Sequence, residues 1–482
     1  MVGNNQFALS SITLGRNNNA LVEAVAVLDV GKTHAKLTLV DREGRVLATR
    51  ARANAAPVRD GRPTLDAQRI ETWALGALAG FAETADIIAI APVAHGAAAA
   101  LVAGDSLVAP VMDYEVAPPA DIVRAYDAER DPFAETGSPR LPLGLNLGQQ
   151  LYWQESLYPD AWPGRAGVLL WPQYWAWRLS GERAAEVSSL GCHTDLWRPH
   201  AGGFSPLAER SGWAERFPPI QAAGAVLGPV RAALAAAAGL PRDCEVVCGV
   251  HDSNASLFAA RAYPEVAGRP FTLISTGTWF VTFQSGGGAT RLDPARDVLV
   301  NVDVDGHPAP SARFMGGREY AEILGEGIGA HASLEAAARV VDAGVRTRPA
   351  FAPGGPFPGG CGAIVGAPGT LSKRASLASL HLALMCDVEL ELVGAAGPVV
   401  IEGRFADDPV FPAALAALRA DRPVYACGGA SDAVAFGAAR LLWPTLLPRR
   451  PLRRIEPAPF DLTEHARAWR VAAHSETLTP QA

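Results

Sequence analysis

Lysine is nearly absent from this 482-residue chain. Only Lys32, Lys36 and Lys373 occur, and the other 39 of its 42 basic residues are arginines. Set against 49 Asp and Glu, the net charge is −7. No stretch gathers the basic residues into a patch, which excludes the electrostatic footprint of a nucleic-acid binder. An anionic ligand must therefore be held locally, by backbone amides and a few cations. Cysteine is scarce as well. Six in a chain this long cannot make a disulfide scaffold, and the expected compartment is a reducing cytoplasm. No apolar run reaches the ~18–20 residues that span a bilayer. The first twenty residues are Asn-rich and lack a basic flank before an apolar block, so a signal peptide is not expected. What is present is 49% hydrophobic and 19% charged, too apolar for a disordered chain and long enough for two or three cores.

The hydrophobic pattern predicts an α/β chain in two halves. Glu23 to Asp29 reads as a buried strand, followed by a turn at Gly31, a strand from Ala35 to Val40, a DREG turn and a third strand to Arg50. A helix is expected from about Asp66 to Thr84, then a short strand at Ile87 to Ala91. A second meander starts at Arg269, with strands Phe271 to Ser275 and Trp279 to Gln284 around Gly277. Pro349 to Gly362 reads as a surface loop, Leu377 to Val393 as a strong helix, and Ser431 to Leu442 as a helix launched from the Gly428–Gly429 turn. The turns at Gly31 and Gly277 each sit between two strands, about half a chain apart. Equivalent openings of two α/β halves predict a duplicated architecture with a cleft between them.

Several motifs invite chemistry, and each also has a plain structural reading. Gly31-Lys32-Thr33 is not a P-loop, because the first glycine of G-x-x-x-x-G-K-[ST] would fall at Ala26 inside a strand. What survives is an Asp29-x-Gly-Lys-Thr turn whose amides and hydroxyl could face phosphate and whose Asp29 could hold Mg²⁺ through water. Two of the three lysines lie at or near this turn. Asp252 follows a strand and opens a helix, as a catalytic carboxylate or an N-cap would. His251-Asp252-Ser253 is no hydrolase triad, since three consecutive side chains diverge. Cys192-His193-x-Asp195 reads as core or sugar contact before metal. The cluster Trp171, Tyr174, Trp175 and Trp177 reads as a helix packing face, from which one or two rings could flank a sugar.

Together these pieces resemble the FGGY family of carbohydrate kinases over about Val22 to Leu442. The first phosphate motif of that family resembles Asp29-Val-Gly-Lys-Thr-His-Ala-Lys36, and the second Ser275-Thr-Gly-Thr-Trp279. The catalytic motif resembles Gly249-Val-His-Asp252-Ser, and the adenosine motif Gly428-Gly-Ala-Ser-Asp-Ala-Val-Ala-Phe-Gly437. The family's glycine-rich turn here reads Ile401-Glu402-Gly403-Arg404-Phe405, and the literal Phe-Gly-Gly-Tyr string is absent.

The resemblance implies two actin-like (ribonuclease H-like) domains with a central cleft. Residues 1–21 would be a polar tail, 22–262 the sugar-binding domain, 263–446 the ATP-binding domain and 447–482 a C-terminal extension. It implies ATP and Mg²⁺, with Asp252 as catalytic base and Asp29 at the metal. Gly31, Lys32, Thr33, Ser275, Thr276, Gly277, Thr278, Gly403, Arg404, Gly428, Gly429, Ala430 and Ser431 would contact nucleotide. His95, Gly96, Asp113, Tyr114, His251 and Asp252 would face the sugar. The expected acceptor is a ketose, and the His-Asp-Ser string favours a 6-deoxyketohexose such as L-rhamnulose or L-fuculose. A ketopentose or polyol kinase, and a non-catalytic sugar or nucleotide sensor, stay open. The partners are small molecules, neither nucleic acid nor membrane, and a homodimer is left open.

Overall fold

The structure is a computed structural model describing residues 21–160, 162, 166–287, 291–325, 329–428 and 432–474. The first half is built on β1 (Val22–Val30), β2 (His34–Asp41), β3 (Val46–Ala53), α1 (Ala67–Ala82), β4 (Ala85–Ala94), α2 (Trp171–Ser180), β5 (Val226–Pro229), β6 (Glu245–Val247), β7 (Val250–His251) and α3 (Asp252–Ala260). Its sheet runs β5-β6-β4-β1-β2-β3, with β7 also paired to β4. The second half carries β8 (Phe271–Thr276), β9 (Phe280–Ser285), β10 (Val298–Val302), β11 (Pro308–Phe314), α4 (Gly316–Leu324), α5 (Leu371–Leu392), β12 (Val399–Gly403), α6 (Phe411–Leu418), β13 (Val424–Ala426), α7 (Ala433–Leu442), β14 (Arg453–Arg454) and α8 (Thr463–His474). That sheet runs β10-β11-β9-β8-β12-β13-β14.

The two orders share a five-strand core. In each, a first strand pairs antiparallel with the next (β1 with β2, β8 with β9) and parallel with the strand after a crossover (β1 with β4, β8 with β12). The expected pair of actin-like halves is thus present. The crossover explains why β1 reads as an unbroken apolar run: both of its faces are covered. Ala24, Ala26 and Leu28 pack with α1 and α2, whereas Val25 and Val27 pack with Ala255 of α3 and with Ala435 and Ala438 of α7. Leu257 and Ala260 of α3 turn instead to the second sheet, against Phe271, Leu273 and Val400. Each sheet therefore buries a face on a helix that belongs to the other half in sequence.

Helices α3 and α7 cross at backbone contact. A Cβ at Gly437 would lie 1.9 Å from the carbonyl oxygen of Ala255, so no side chain fits there without moving a helix. Gly437→Ala should cost at least ~1–3 kcal/mol of stability, as overpacking does. Gly76→Ala on the exposed side of α1, where a Cβ meets nothing within 4 Å, should be neutral or stabilising. Urea unfolding of the two variants measures the contrast.

The segment after residue 447, which ends in a helix, packs into the second half: β14 pairs with β13, and Trp469 of α8 is fully buried in the second core. One expectation changes on contact with the fold. The stretch Pro349 to Gly362 is only partly a surface loop, because Phe357 is buried edge-on against Trp469, with ring centroids 5.4 Å apart. The sequence signal there was Pro and Gly content, which reports turns and not burial.

Candidate functional site

Asp252 is the first residue of α3, at the seam between the halves. Its Oδ1 accepts from the Ser253 amide at 2.6 Å and the Ser253 hydroxyl at 3.2 Å, and lies 3.2 Å from His251 Nε2. Among the described residues no donor reaches Oδ2, which leaves one oxygen anchored and one available. His251 is itself fixed: Nδ1 lies 3.2 Å from Asn254 Nδ2, and Nε2 lies 3.3 Å from Cys192 Sγ. Burial lowers the His251 pKa against the pull of Asp252, so the ring is neutral at neutral pH. With Nδ1 accepting from Asn254, its proton sits on Nε2, facing Asp252.

A cavity of 620 Å³ opens in front of this carboxylate. His95, Gly96, Tyr114, His251 and Asp252 line it from the first half, and Ser275, Thr276 and Gly277 from the second. Of the expected residues, these eight are brought together. Cys192 and His193 line the same space, while Asp195 turns away to Arg130 at 2.6 Å and Tyr126 at 2.7 Å, so the three do not converge on a metal. The four aromatic residues of α2 are core, at 1–3% exposure, and none of them lines this cavity.

Asp29, at the end of β1, faces Lys36 directly across the β1–β2 pair. Lys36 Nζ lies 3.8 Å from Asp29 and 3.1 Å from Asp432, the N-cap of α7, a residue 396 positions further along the chain. Burial pushes the Asp29 carboxyl up to about 7, helped by Asp252 and Asp432 and opposed by Lys36. Burial works against the charge of Lys36, yet Asp432 and Asp29 together raise its pKa. Two carboxylates thus meet one ammonium, with Asp252 near enough to act on Asp29. That excess of negative charge suits a hard divalent cation, which takes carboxylate and water oxygens.

Lys32 lies elsewhere than the phosphate-contact expectation places it. It forms an ion pair with Asp113, stands 3.3 Å from Glu115 and lies over the Tyr114 ring at 5.6 Å. Gly31, Lys32 and Thr33 line a smaller cavity of 160 Å³ that also reaches His95. The side chain is therefore held against Asp113 and Tyr114 of the expected sugar wall, and Thr33 of the same turn is exposed. Thr276 is also committed: its hydroxyl donates to the Glu402 carbonyl at 2.6 Å and accepts from the Phe405 amide at 3.0 Å. That pins the Glu402–Phe405 turn, where Gly403 has φ +84° and a Cβ would sit 2.2 Å from the Thr276 carbonyl oxygen. Arg404 lies over the Phe405 ring at 5.5 Å. At the second turn the Gly277 amide donates to the Trp279 carbonyl at 3.0 Å, and Thr278 is exposed.

Gly428 lines a separate cavity of 360 Å³ with Tyr263, Glu402, Asp432 and Phe436. Gly429, Ala430 and Ser431 lie outside the described residues. Glu402 is buried there, and burial raises its pKa. The sequence reading missed the α4 start. Gly316-Gly317-Arg318 opens that helix against the second turn, with the Gly317 amide donating to the Thr278 carbonyl at 3.2 Å. The Gly-Gly pair after an apolar strand was a signal that could have found it. It also missed Arg313 and Asn301, which line the 620 Å³ cavity from the second sheet, beside Trp279 at the end of the second motif.

Residues 268–450 match the family described as carbohydrate kinase FGGY, C-terminal domain. The chain is 27% identical over 272 residues to an L-fuculokinase of Salmonella typhi, a match covering 53% of this chain and 55% of that relative. It thus spans about half the length of the curated relatives it matches. The crystal structure of a carbohydrate kinase from Novosphingobium aromaticivorans is similar at a TM-score of 0.87 and 41% identity, over 94% of this chain and 99% of that one. A ligand-bound xylulose kinase from Lactobacillus acidophilus, at 14% identity, shares the fold with a TM-score of 0.73 over 94% of this chain and 96% of its own.

Proposed function

Because the chain belongs to the FGGY family of carbohydrate kinases, a family of ATP-dependent phosphotransferases, we propose that it transfers the γ-phosphoryl group of ATP to a primary hydroxyl of a ketose. The observation that carries this reading is the free Oδ2 of Asp252, presented to a cavity whose far wall is the Ser275–Gly277 turn. Oδ2 takes the hydroxyl proton as the oxygen attacks phosphorus. The Ser253 amide and His251 hold Oδ1 so that the base does not rotate. The amides of the Gly31 turn, with the hydroxyls of Thr33 and Thr278, meet the charge that develops on the transferred group. Asp29 is the carboxylate we assign to Mg²⁺, with Asp432 nearby. When bound, the ion neutralises charge on the triphosphate.

The nucleoside is assigned to the 360 Å³ cavity at Gly428, and the sugar to the wall of His95, Tyr114 and Asp113. On this reading the division falls near residue 262, with the sugar held by the first half and the nucleotide by the second. A 6-deoxyketohexose leads the candidates. The His251-Asp252-Ser253 string supports it, and the apolar side chains Trp279, Leu299 and Met315 in the cavity suit a methyl end. ADP release measured with 6-deoxyketohexoses, ketopentoses, polyols and no sugar tests the assignment. Turnover should require a ketose. Equal ADP release without sugar, or none with any sugar, would remove the kinase reading.

A further inference from the structure

The loop Cys192-His193-Thr194-Asp195 is held more rigidly than a connection needs. His193 has φ +42° and Asp195 φ +64°, so two non-glycine residues within three adopt the left-handed backbone that favours glycine. Buried bonds keep them there. Asp195, 1% exposed, accepts from Arg130 and Tyr126, and from Asn146 Nδ2 at 3.3 Å. The Thr194 hydroxyl donates to the Leu190 carbonyl, and the Thr194 carbonyl accepts from the Gly148 amide at 2.8 Å. What this clamp presents is His193, which is part-exposed and lines the 620 Å³ cavity.

One nitrogen of the His193 ring is committed. Nδ1 lies 2.7 Å from the Leu145 carbonyl, which can only accept, so the proton sits on Nδ1. Burial, with the charge of Arg313 on the opposite wall of the cavity, holds the imidazole at a pKa of about 3. The ring is therefore neutral, and Nε2 carries a bare lone pair. Among the described residues nothing donates to it. His95 repeats the arrangement: its Nδ1 lies 2.7 Å from the Gly96 carbonyl, burial lowers its pKa, and it lines the same cavity. The first half thus meets a ligand with acceptors, and the sugar group able to donate to them is a hydroxyl. A hydroxyl has a single proton, and Asp252 Oδ2 takes that of the reacting one. The hydroxyl that meets His193 is therefore a different one.

We propose that His193 Nε2 accepts a hydrogen bond from a non-reacting hydroxyl of the acceptor sugar and so selects which ketose the cavity takes. The identity of the ligand rests on the kinase reading. A fixed group that only accepts rejects any analogue unable to donate at that carbon, because the lone pair is then left without a partner inside a closed site.

The test is direct binding followed by turnover. L-Rhamnulose, L-fuculose and their 3-, 4- and 5-deoxy and matching deoxyfluoro analogues are titrated calorimetrically into the full-length protein without nucleotide. For the sugar that binds more tightly, the wild type should reject the deoxy and the deoxyfluoro analogue at one carbon alike, by ~10–100-fold, since fluorine cannot donate. His193→Asn isolates Nε2: the carboxamide can still donate to the Leu145 carbonyl, and asparagine tolerates the left-handed backbone. Its melting temperature should be unchanged. Rejection at that carbon should fall to within a few-fold and the KM for sugar should rise ~10–100-fold, with kcat and the KM for ATP within a few-fold of wild type. Should the variant not fold, nitrogen NMR of the ¹⁵N-histidine-labelled wild type decides, because the resonance of the bare Nε2 must move when the parent sugar is added and stay when the rejected analogue is. Unchanged rejection in the variant, equal weakening of every sugar, a deoxyfluoro analogue that binds like its parent, an unmoved Nε2 resonance or no binding of either sugar would overturn the assignment. Binding that follows these expectations without any ADP release would instead keep it and sink the kinase reading.

Discussion

Asp252→Asn should lower kcat by about 10²–10⁴-fold while leaving the KM for sugar within a few-fold. The substitution preserves shape and an Oδ1 that can still accept from the Ser253 amide and from His251, so the start of α3 should hold. What is lost is the one oxygen that no donor reaches. A carboxamide at that position cannot take the proton of an attacking hydroxyl, yet it can still hydrogen-bond the sugar. Sugar titration and circular dichroism of the variant separate chemistry from folding. Activity within a few-fold of wild type would remove Asp252 as the base and leave it a helix cap.

Asp29→Asn should abolish most Mg²⁺-dependent turnover and should also alter how the free protein responds to pH. The carboxyl is near 3.8 in an unfolded chain and about 7 in the fold, so between those values the folded state binds the extra proton. Stability from this group is therefore fully present below about pH 4 and is lost as pH rises towards 7, by at most about 4 kcal/mol at ~1.4 kcal/mol per unit. The metal-free wild type should thus lose melting temperature between pH 5 and 8 more steeply than Asp29→Asn. Added Mg²⁺ should restore more of it at pH 8 than at pH 6, because binding must first displace a proton at the lower pH. If the two proteins show the same pH dependence and the same response to Mg²⁺, Asp29 is not the metal carboxylate.

The strands around Gly31 and Gly277 were legible because both faces of β1 and β8 are covered, which leaves unbroken apolar runs cut by a glycine turn. Helix α5 was legible from Leu377 onward, but its first turn was not. Residues 371–374 are polar or part-exposed, and only the Thr370 cap, whose hydroxyl accepts from the Lys373 amide, marks the true start. Pairing across long separations left no local trace. Lys36 meets Asp432 over 396 residues, and Lys32 meets Asp113 over 81. A lysine beside a glycine turn reads as a phosphate contact until the neighbouring acidic loop is seen to claim it. Arg313 and Asn301 were invisible for a related reason. On alternating strands they look like any other polar position, and only the folded second sheet brings them to the wall of the 620 Å³ cavity.

The scarcity of lysine has a consequence for chemical access. Two of the three lysines sit in the cleft: Lys32 at 17% side-chain exposure beside the expected sugar wall, and Lys36 at 37% between Asp29 and Asp432. In most proteins an acylating or reductive-alkylating reagent decorates the whole exterior and reports on nothing in particular. Here nearly all of the basic side chains are guanidinium, 39 of 42, which such reagents leave alone. Amine modification of this protein is therefore concentrated on its working groove, apart from Lys373 and the chain's own amino terminus.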